Sequence, residues 1–394
     1  MSTALQRRKL ALFVFFFIPG LALASWVTRT PAIRDAISAS IAQMGMVLAG
    51  LSIGSMTGVL LSGHIIKKRG TRFTMLLGLS LVCASMLTMA LGVLIQSQLV
   101  VALGLGFFGL GMGTAEIAVN MDAALVEHES GHHVMHTLHG CFSLGTLVGA
   151  LLGLAANAAH VPVALHLGTV FLAVSVLLAA FSGHVPAGFG IQSTGQDGVR
   201  SSHANMASVW TDPRVLMIGF VVFAMALAEG SAYDWLPILL VDEHGFSQAL
   251  GAMIFVLFAA MMTLGRFGGG WLLRRFGRVV VVRCSIALAA AGVAFIALGQ
   301  HQVLAGMAVV CWGMGAALAF PVALSAAAEG DHRGAERVKA VATIGYVAML
   351  VGPPALGFVG QQFGLRGAML LVLSLVLLAF FLSGATRSPK LSRR

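Results

Sequence analysis

Residues 104–122 read GLGFFGLGMGTAEIAVNMD, and Glu116, Asn120 and Asp122 stand there inside an apolar run that begins at Leu99. A carboxylate at membrane depth is costly unless it is partnered or protonated, so its presence points to the handling of a proton, an ion or a solute. Glu116 and Asn120 are four residues apart and share one helical face. Gly104, Gly106, Gly109, Gly111 and Gly113 leave another surface nearly bare of side chains, on which a second helix can pack closely. The stretch is read as one wall of a solute pathway; its alternative is a polar cluster that pins two helices together.

A second group of such residues lies further along. Glu229 has Tyr233 one turn away on the same face, followed by Asp234 and Trp235, while Gly230 and Pro237 weaken the helix locally, as expected beside a cavity. Near the first apolar segment's far end, Trp26 and Arg29 are three apart. The guanidinium fork suits an anionic solute, or a pair with Glu229 or Asp234. His139 falls at about the depth of Asn120 and titrates near working pH, which makes it a candidate proton partner. Glu116, Glu229 and His139 are therefore the candidates for proton coupling. Trp26, Arg29, Asn120, Phe142, Tyr233, Asp234, Trp235, Phe320 and Tyr346 are the candidates for binding the solute, with the aromatic rings stacking on its apolar face. Protonating a buried carboxyl makes it cheaper to occlude, and this couples proton binding to closure. Arg266, in GRFGGG, reads as lying toward the inner end of its segment and pairing with an acid there.

Composition excludes several classes. The chain of 394 residues is 58% hydrophobic and 10% charged, with a mean hydropathy of +0.93, and its apolar residues come in runs of about 20, the length that spans a bilayer. The net charge of +10 arises between these runs with no basic face interleaved with aromatics, so nucleic acid is not expected as a partner. Cys83, Cys141, Cys284 and Cys311 all lie in apolar runs, and His128, His132, His133 and His136 lack metal-site spacing. No HExxH, GxSxG or phosphate-binding loop is present, so neither an enzyme nor a cofactor is expected; the proton is the expected coupling ion.

The elements that must position these residues are read as twelve transmembrane helices in an all-α membrane protein. Spans fall near 10–33, 41–66, 73–95, 99–125, 136–158 and 163–182, then 214–241, 248–273, 279–299, 303–326, 336–361 and 365–385. Two six-helix bundles follow, 1–182 and 214–394, joined by a cytoplasmic linker, 183–213, rich in Gly, Ser, Gln and His. Of the 24 Lys and Arg, twenty fall on the side that holds both termini, which is expected to be cytoplasmic, and three on the other. Arg7, Arg8 and Lys9 before an apolar segment with Ala22-Leu23-Ala24 imitate a cleavable signal, but the segment continues into Trp26 and Arg29 and is expected to stay as the first span.

An internal repeat supports the pseudo-symmetry. GHIIKKRGTR, residues 63–72, matches GWLLRRFGRV, residues 270–279: Gly63 with Gly270, Gly70 with Gly277, and Lys67-Lys68 with Arg274-Arg275, all 207 residues apart, with Arg72 and Arg278 completing the basic ends. These loops resemble the signature of the major facilitator superfamily, G-x-x-x-D-R/K-x-G-R/K-R/K, except that Lys67 and Arg274 stand at the two acid positions. Counter-charges are expected instead from Glu127, Glu129, Glu329 and Asp331. AEIAVNMDAALVEHE (115–129), HGCFSLGTLVGALLG (139–153), ALAEGSAYDWLPILL (226–240), GMGAALAFPVALSAA (313–327) and TIGYVAMLVGPPALGF (343–358) are similar to the fucose-permease-like branch and its bacterial inner-membrane relatives. The resemblance implies a multi-pass inner-membrane carrier of a small molecule that works by alternating access, with Glu116 matching the branch's proton-coupling acid; a monomer is expected because one chain contains both halves of the pathway. That branch's acid in the first helix has no counterpart among residues 26–30, where Arg29 stands. A sugar-like solute or organic acid is expected; export of amphipathic compounds, or a sensor that kept the fold, are the alternatives.

Overall fold

The computed structural model describes residues 3–130, 135–190, 209–329 and 334–387. Ten helices among them are long and apolar enough to cross a membrane. They comprise α1 (Thr3–Val27), then after the short α2 (Thr30–Ala36) come α3 (Ile41–Leu94), α4 (Gln98–Ser130), α5 (Met135–Ala158), α6 (Val163–Phe181), α7 (Pro213–Asp242), α8 (Gln248–Phe276), α9 (Arg278–Leu298), α10 (Gln302–Ala327) and α11 (Gly334–Leu382). The protein is thus an all-α multi-pass membrane protein. α1 runs unbroken past Ala22-Leu23-Ala24 to Val27.

Ten separate helices stand where twelve are expected because two joins contain almost no non-helical backbone. The 54-residue α3 leaves helical geometry only at Gly70, with φ 81°, and the 49-residue α11 only at Gly364, with φ 75°. Positive φ is open to glycine at little cost, so one residue turns the chain between helical legs. Gly277, the repeat partner of Gly70, separates α8 from α9 with φ 76°. The matched glycines of the two basic loops therefore share a backbone conformation as well as a spacing.

Two helix starts follow ordinary capping rules. Ser40 and Gln43 form a reciprocal box at α3, with Ser40 Oγ accepting from the Gln43 amide at 3.2 Å and Gln43 Oε1 accepting from the Ser40 amide at 2.8 Å. Asp212 Oδ1 accepts from the Arg214 amide at 2.9 Å, ahead of Pro213 in the first turn of α7.

The chain divides into two compact units, Met1–Asp197 with Ser247–Val256, and Gly198–Phe246 with Leu257–Arg394. In the first, α4 lies against both legs of α3. A side chain at Gly109 would overlap the Leu51 carbonyl, and one at Gly111 the Gly78 carbonyl. The glycine-lined surface read from the sequence is thus used on two sides, by contact too close for a Cβ. α1 and α5 meet in the same way at Gly20, Gly145 and Gly149. In the second unit α10 packs against α9 through Gly292 and Gly315, and against α8 through Gly313. Large apolar side chains such as Leu60, Phe363 and Phe381 point outward, as lipid-facing residues do. Most of the predicted linker, 191–208, lies outside the described residues.

Candidate functional site

The first unit holds one locked ion pair. Arg8 on α1 donates from Nε to Asp122 Oδ2 at 2.9 Å and from a terminal nitrogen to Oδ1 at 2.7 Å. The two side chains are 8% and 0% exposed, and Arg8 also reaches Glu129 at 3.4 Å. The sequence counts Arg8 only among the basic residues that set the orientation; in the structure its side chain is 8% exposed and neutralises the buried acid of α4. The repeat offers matching positions but not the pairing itself. Asp122 and Glu329 are also 207 residues apart, and Arg8 and Arg214 are 206 apart.

Arg214 in the second unit takes a different contact. It donates to the carbonyls of Ala326 and Glu329 at 3.3 and 3.5 Å, while the Glu329 carboxylate pairs with Arg278. Arg337 donates to the Glu329 carbonyl at 3.0 Å. Of the four expected counter-charges, Glu129 and Glu329 thus engage arginines, Glu329 with a residue of the repeat motif itself. Asp331, His132 and His133 lie outside the described residues, as does the side chain of His136. Lys67, Lys68, Arg274 and Arg275 are exposed, and no carboxylate pairs with Lys67 or Arg274 among the described residues.

Glu116 and Asn120 are half-buried on α4. Glu116 makes no hydrogen bond or ion pair among the described residues, and Asn120 Oδ1 is buried without a donor. On α5, His139 is exposed with its ring edge-on to Phe16 at 5.1 Å, and Phe142 is half-buried. Trp26 is only 1% exposed and sits edge-on to Phe108 at 6.3 Å, a packed position. Arg29, 4% exposed, donates to Asn157 Oδ1 at 2.6 Å and to the Val161 carbonyl at 2.5 Å, both neutral acceptors within its own unit.

In the second unit Glu229 Oε1 accepts from Arg266 at 2.9 Å, with the side chains 14% and 31% exposed. The sequence points Arg266 toward an acid at the inner end; the long side chain instead meets the α7 carboxylate. Tyr233 lies edge-on to Phe258 at 6.0 Å with its hydroxyl 3.9 Å from Met262 Sδ. Phe258 in turn meets Trp312, whose Nε1 donates to the Ala228 carbonyl at 3.1 Å. Asp234 is buried with no hydrogen bond or ion pair among the described residues, and Trp235 Nε1 is buried without an acceptor. Phe320 and Tyr346 are half-buried on α10 and α11, and a Cβ at Gly345 would lie 3.1 Å from the Phe320 ring.

A further cluster, missed from sequence, closes the other end of this unit. In the turn after α7, the His244 ring has Nε2 3.0 Å from the Ile296 carbonyl and Nδ1 3.3 Å from an Arg366 terminal nitrogen. Nε2 therefore carries the proton and Nδ1 accepts. Glu243 caps the Leu365 amide at 2.5 Å and lies 3.9 Å from Arg366. Burial holds the His244 pKa below its ordinary value, with the Arg366 charge adding to this and the Ile296 hydrogen bond and Glu243 opposing it. A depressed histidine pKa contributes stability above the unfolded value of about 6.5, and that contribution is lost as pH falls below it. The thermal stability margin of the native chain over His244→Gln is expected to shrink between pH 7 and pH 5; a margin constant with pH would exclude this role.

The Major Facilitator Superfamily model matches residues 10–346. An uncharacterized MFS-type transporter of Yersinia pestis is 33% identical over 352 residues, 88% of this chain and 87% of the relative. Among solved structures, a point mutant of the nucleoside transporter NupG superposes with a TM-score of 0.77 at 15% identity, covering 96% of this chain and 99% of that one. FucP in its outward conformation gives 0.68 at 16% identity, covering 97% and 99%. At such identities the structures share the fold with this chain and nothing more is carried over from them. The family match over most of the length, the 33% identical relative and the helical membrane fold agree: the chain belongs to the Major Facilitator Superfamily of secondary transporters.

Proposed function

We propose that this transporter is a proton-coupled carrier of a small organic solute, sugar-like or an organic acid, of the fucose-permease-like branch, working by alternating access. The observation that carries the reading is a contrast between acids in the same membrane protein. Asp122 is held by two hydrogen bonds from Arg8 and sealed. Glu116 has no partner among the described residues, and Glu229 has a single bond to a partly open arginine. A locked acid cannot exchange its proton without breaking the fold; an open or unpaired one can. Glu116 and Glu229 are accordingly the proton-coupling residues, with Asn120, Tyr233, Asp234, Phe320 and Tyr346 toward the solute.

The same reading gives the chain twelve crossings in two bundles, 1–182 and 214–394, with both termini cytoplasmic. It is supported by the left-handed glycines inside α3 and α11, each with helical legs on either side, and by the matched turns at Gly70 and Gly277. The test is a thermal-shift screen of purified protein against sugars, organic acids and amphipathic drugs, followed by flux of each stabilising compound into proteoliposomes. Uptake that rises with an inward proton gradient and collapses with a protonophore is expected. Flux indifferent to the gradient would end the proton-coupled reading, and no flux of any stabilising compound would end the carrier reading.

A further inference from the structure

The two arginines at the ends of α1 are about 32 Å apart along the helix, at 1.5 Å per residue, and they are neutralised differently. Arg8 has two carboxylates, Asp122 and Glu129. Arg29, 4% exposed at the corner between α1 and α2, has none among the described residues: its acceptors are the Asn157 amide oxygen and the Val161 carbonyl. Asn157 is itself fixed by donating to the Thr28 carbonyl at 3.0 Å. The carbonyl ends of α1 and α5 offset part of the guanidinium charge but supply no full counter-charge. A buried cation without one is strongly disfavoured.

Unmet donors accompany the charge. Arg29 Nε is buried without an acceptor, and His166, in the first turn of α6 and 6% exposed, has both ring nitrogens buried without a partner. One of those nitrogens must carry hydrogen in either neutral tautomer. The two side chains come from adjoining backbone: Arg29 bonds the Val161 carbonyl at 2.5 Å, and the His166 amide donates to the neighbouring Pro162 carbonyl at 3.0 Å in the first turn of α6. Buried polar groups in folded proteins are satisfied by protein, water or ion. A water molecule would meet the donors and leave the charge unbalanced, whereas a small anion meets both.

We propose that Arg29 and His166 hold a chloride ion that ties the α1–α2 corner to the turn between α5 and α6. The site is sealed, so the ion is a structural component of this bundle and is not the solute that must enter and leave in each cycle. Arg29 thereby serves the fold and not solute recognition. The inference stands independently of proton coupling.

The experiment compares melting of the purified full chain in sodium chloride and sodium gluconate at equal ionic strength. Ligand binding to the folded state alone raises the midpoint in a saturable manner. Chloride and bromide are expected to raise it and gluconate is not. His166→Phe, which keeps the ring and removes both nitrogens, is expected to weaken the chloride response at least tenfold, and Arg29→Gln to abolish it. Identical melting of the native chain in both salts, the outcome for a bound water, overturns the proposal. So does a chloride response undiminished in His166→Phe. If Arg29→Gln fails to fold, crystals of the native chain expressed, purified and grown with bromide in place of chloride decide: an anomalous peak between Arg29 and His166 supports the site, and its absence there refutes it.

Discussion

Glu116→Gln is expected to abolish proton-driven accumulation of the solute while leaving exchange of internal for external solute intact. Glutamine keeps the shape and hydrogen bonding of a protonated glutamate but cannot release a proton. The helix face shared with Asn120 therefore persists, whereas the step that ties solute movement to the gradient does not. With one proton per solute, a gradient of one pH unit is worth about 1.4 kcal/mol and supports accumulation of about tenfold. In the variant the ratio should fall to unity, with counterflow rates within about twofold of the native protein. Because Glu116 has no ion-pair partner among the described residues, the substitution leaves no buried arginine unpaired, so the loss reports on coupling and not on folding. Glu229→Gln is a contrasting case, since it removes the partner of Arg266 and should disturb packing as well as transport. Accumulation by Glu116→Gln equal to that of the native protein would take Glu116 out of the proton path.

The features legible in the sequence are those that local rules determine. Runs of about 20 apolar residues require helices, and the glycine run at 104–113 requires close contact, which α4 makes with both legs of α3. The spacing of Gly70 and Gly277 identifies two equivalent turns, and both adopt positive φ. What the sequence does not reveal is which charge meets which. Arg8 and Asp122 are 114 residues apart, and three adjacent basic residues before an apolar run look like ordinary solvated flanking charge. Arg266 is misplaced for a related reason. The depth of a residue on a helix is uncertain by several residues, and an arginine side chain reaches about a full turn from its Cα, so its contact with Glu229 on α7 is not separable in sequence from one with an acid nearer the inner end. His244 escapes notice because it lies in a short connection with no motif, and its contact with Arg366, within α11 just past Gly364, depends on the sharp turn there.

Asp122→Ala should destabilise the fold more than Glu116→Gln, Glu229→Gln or Glu129→Ala, because it strands a buried arginine. Breaking a buried pair by removing one partner costs about 3–5 kcal/mol, since the remaining charge has lost its compensation. Arg8 is 8% exposed on the side chain, and Glu129, itself 42% exposed, is the acid that remains within reach. Glu129→Ala should in turn cost about 0–1 kcal/mol, as a mostly exposed partner does. The double variant Arg8→Met/Asp122→Leu removes both charges and keeps apolar volume between α1 and α4; it should recover most of the loss, as replacement of buried pairs by well-packed apolar residues often does. The ordering is read from thermal melting of the native protein and these variants in one detergent. If Asp122→Ala melts with the native protein, the pair carries no net stability and the sealed geometry of Arg8 and Asp122 has another cause. If the double variant is as unstable as Asp122→Ala, directional hydrogen bonding between α1 and α4, and not charge compensation, is what holds that end of the bundle together.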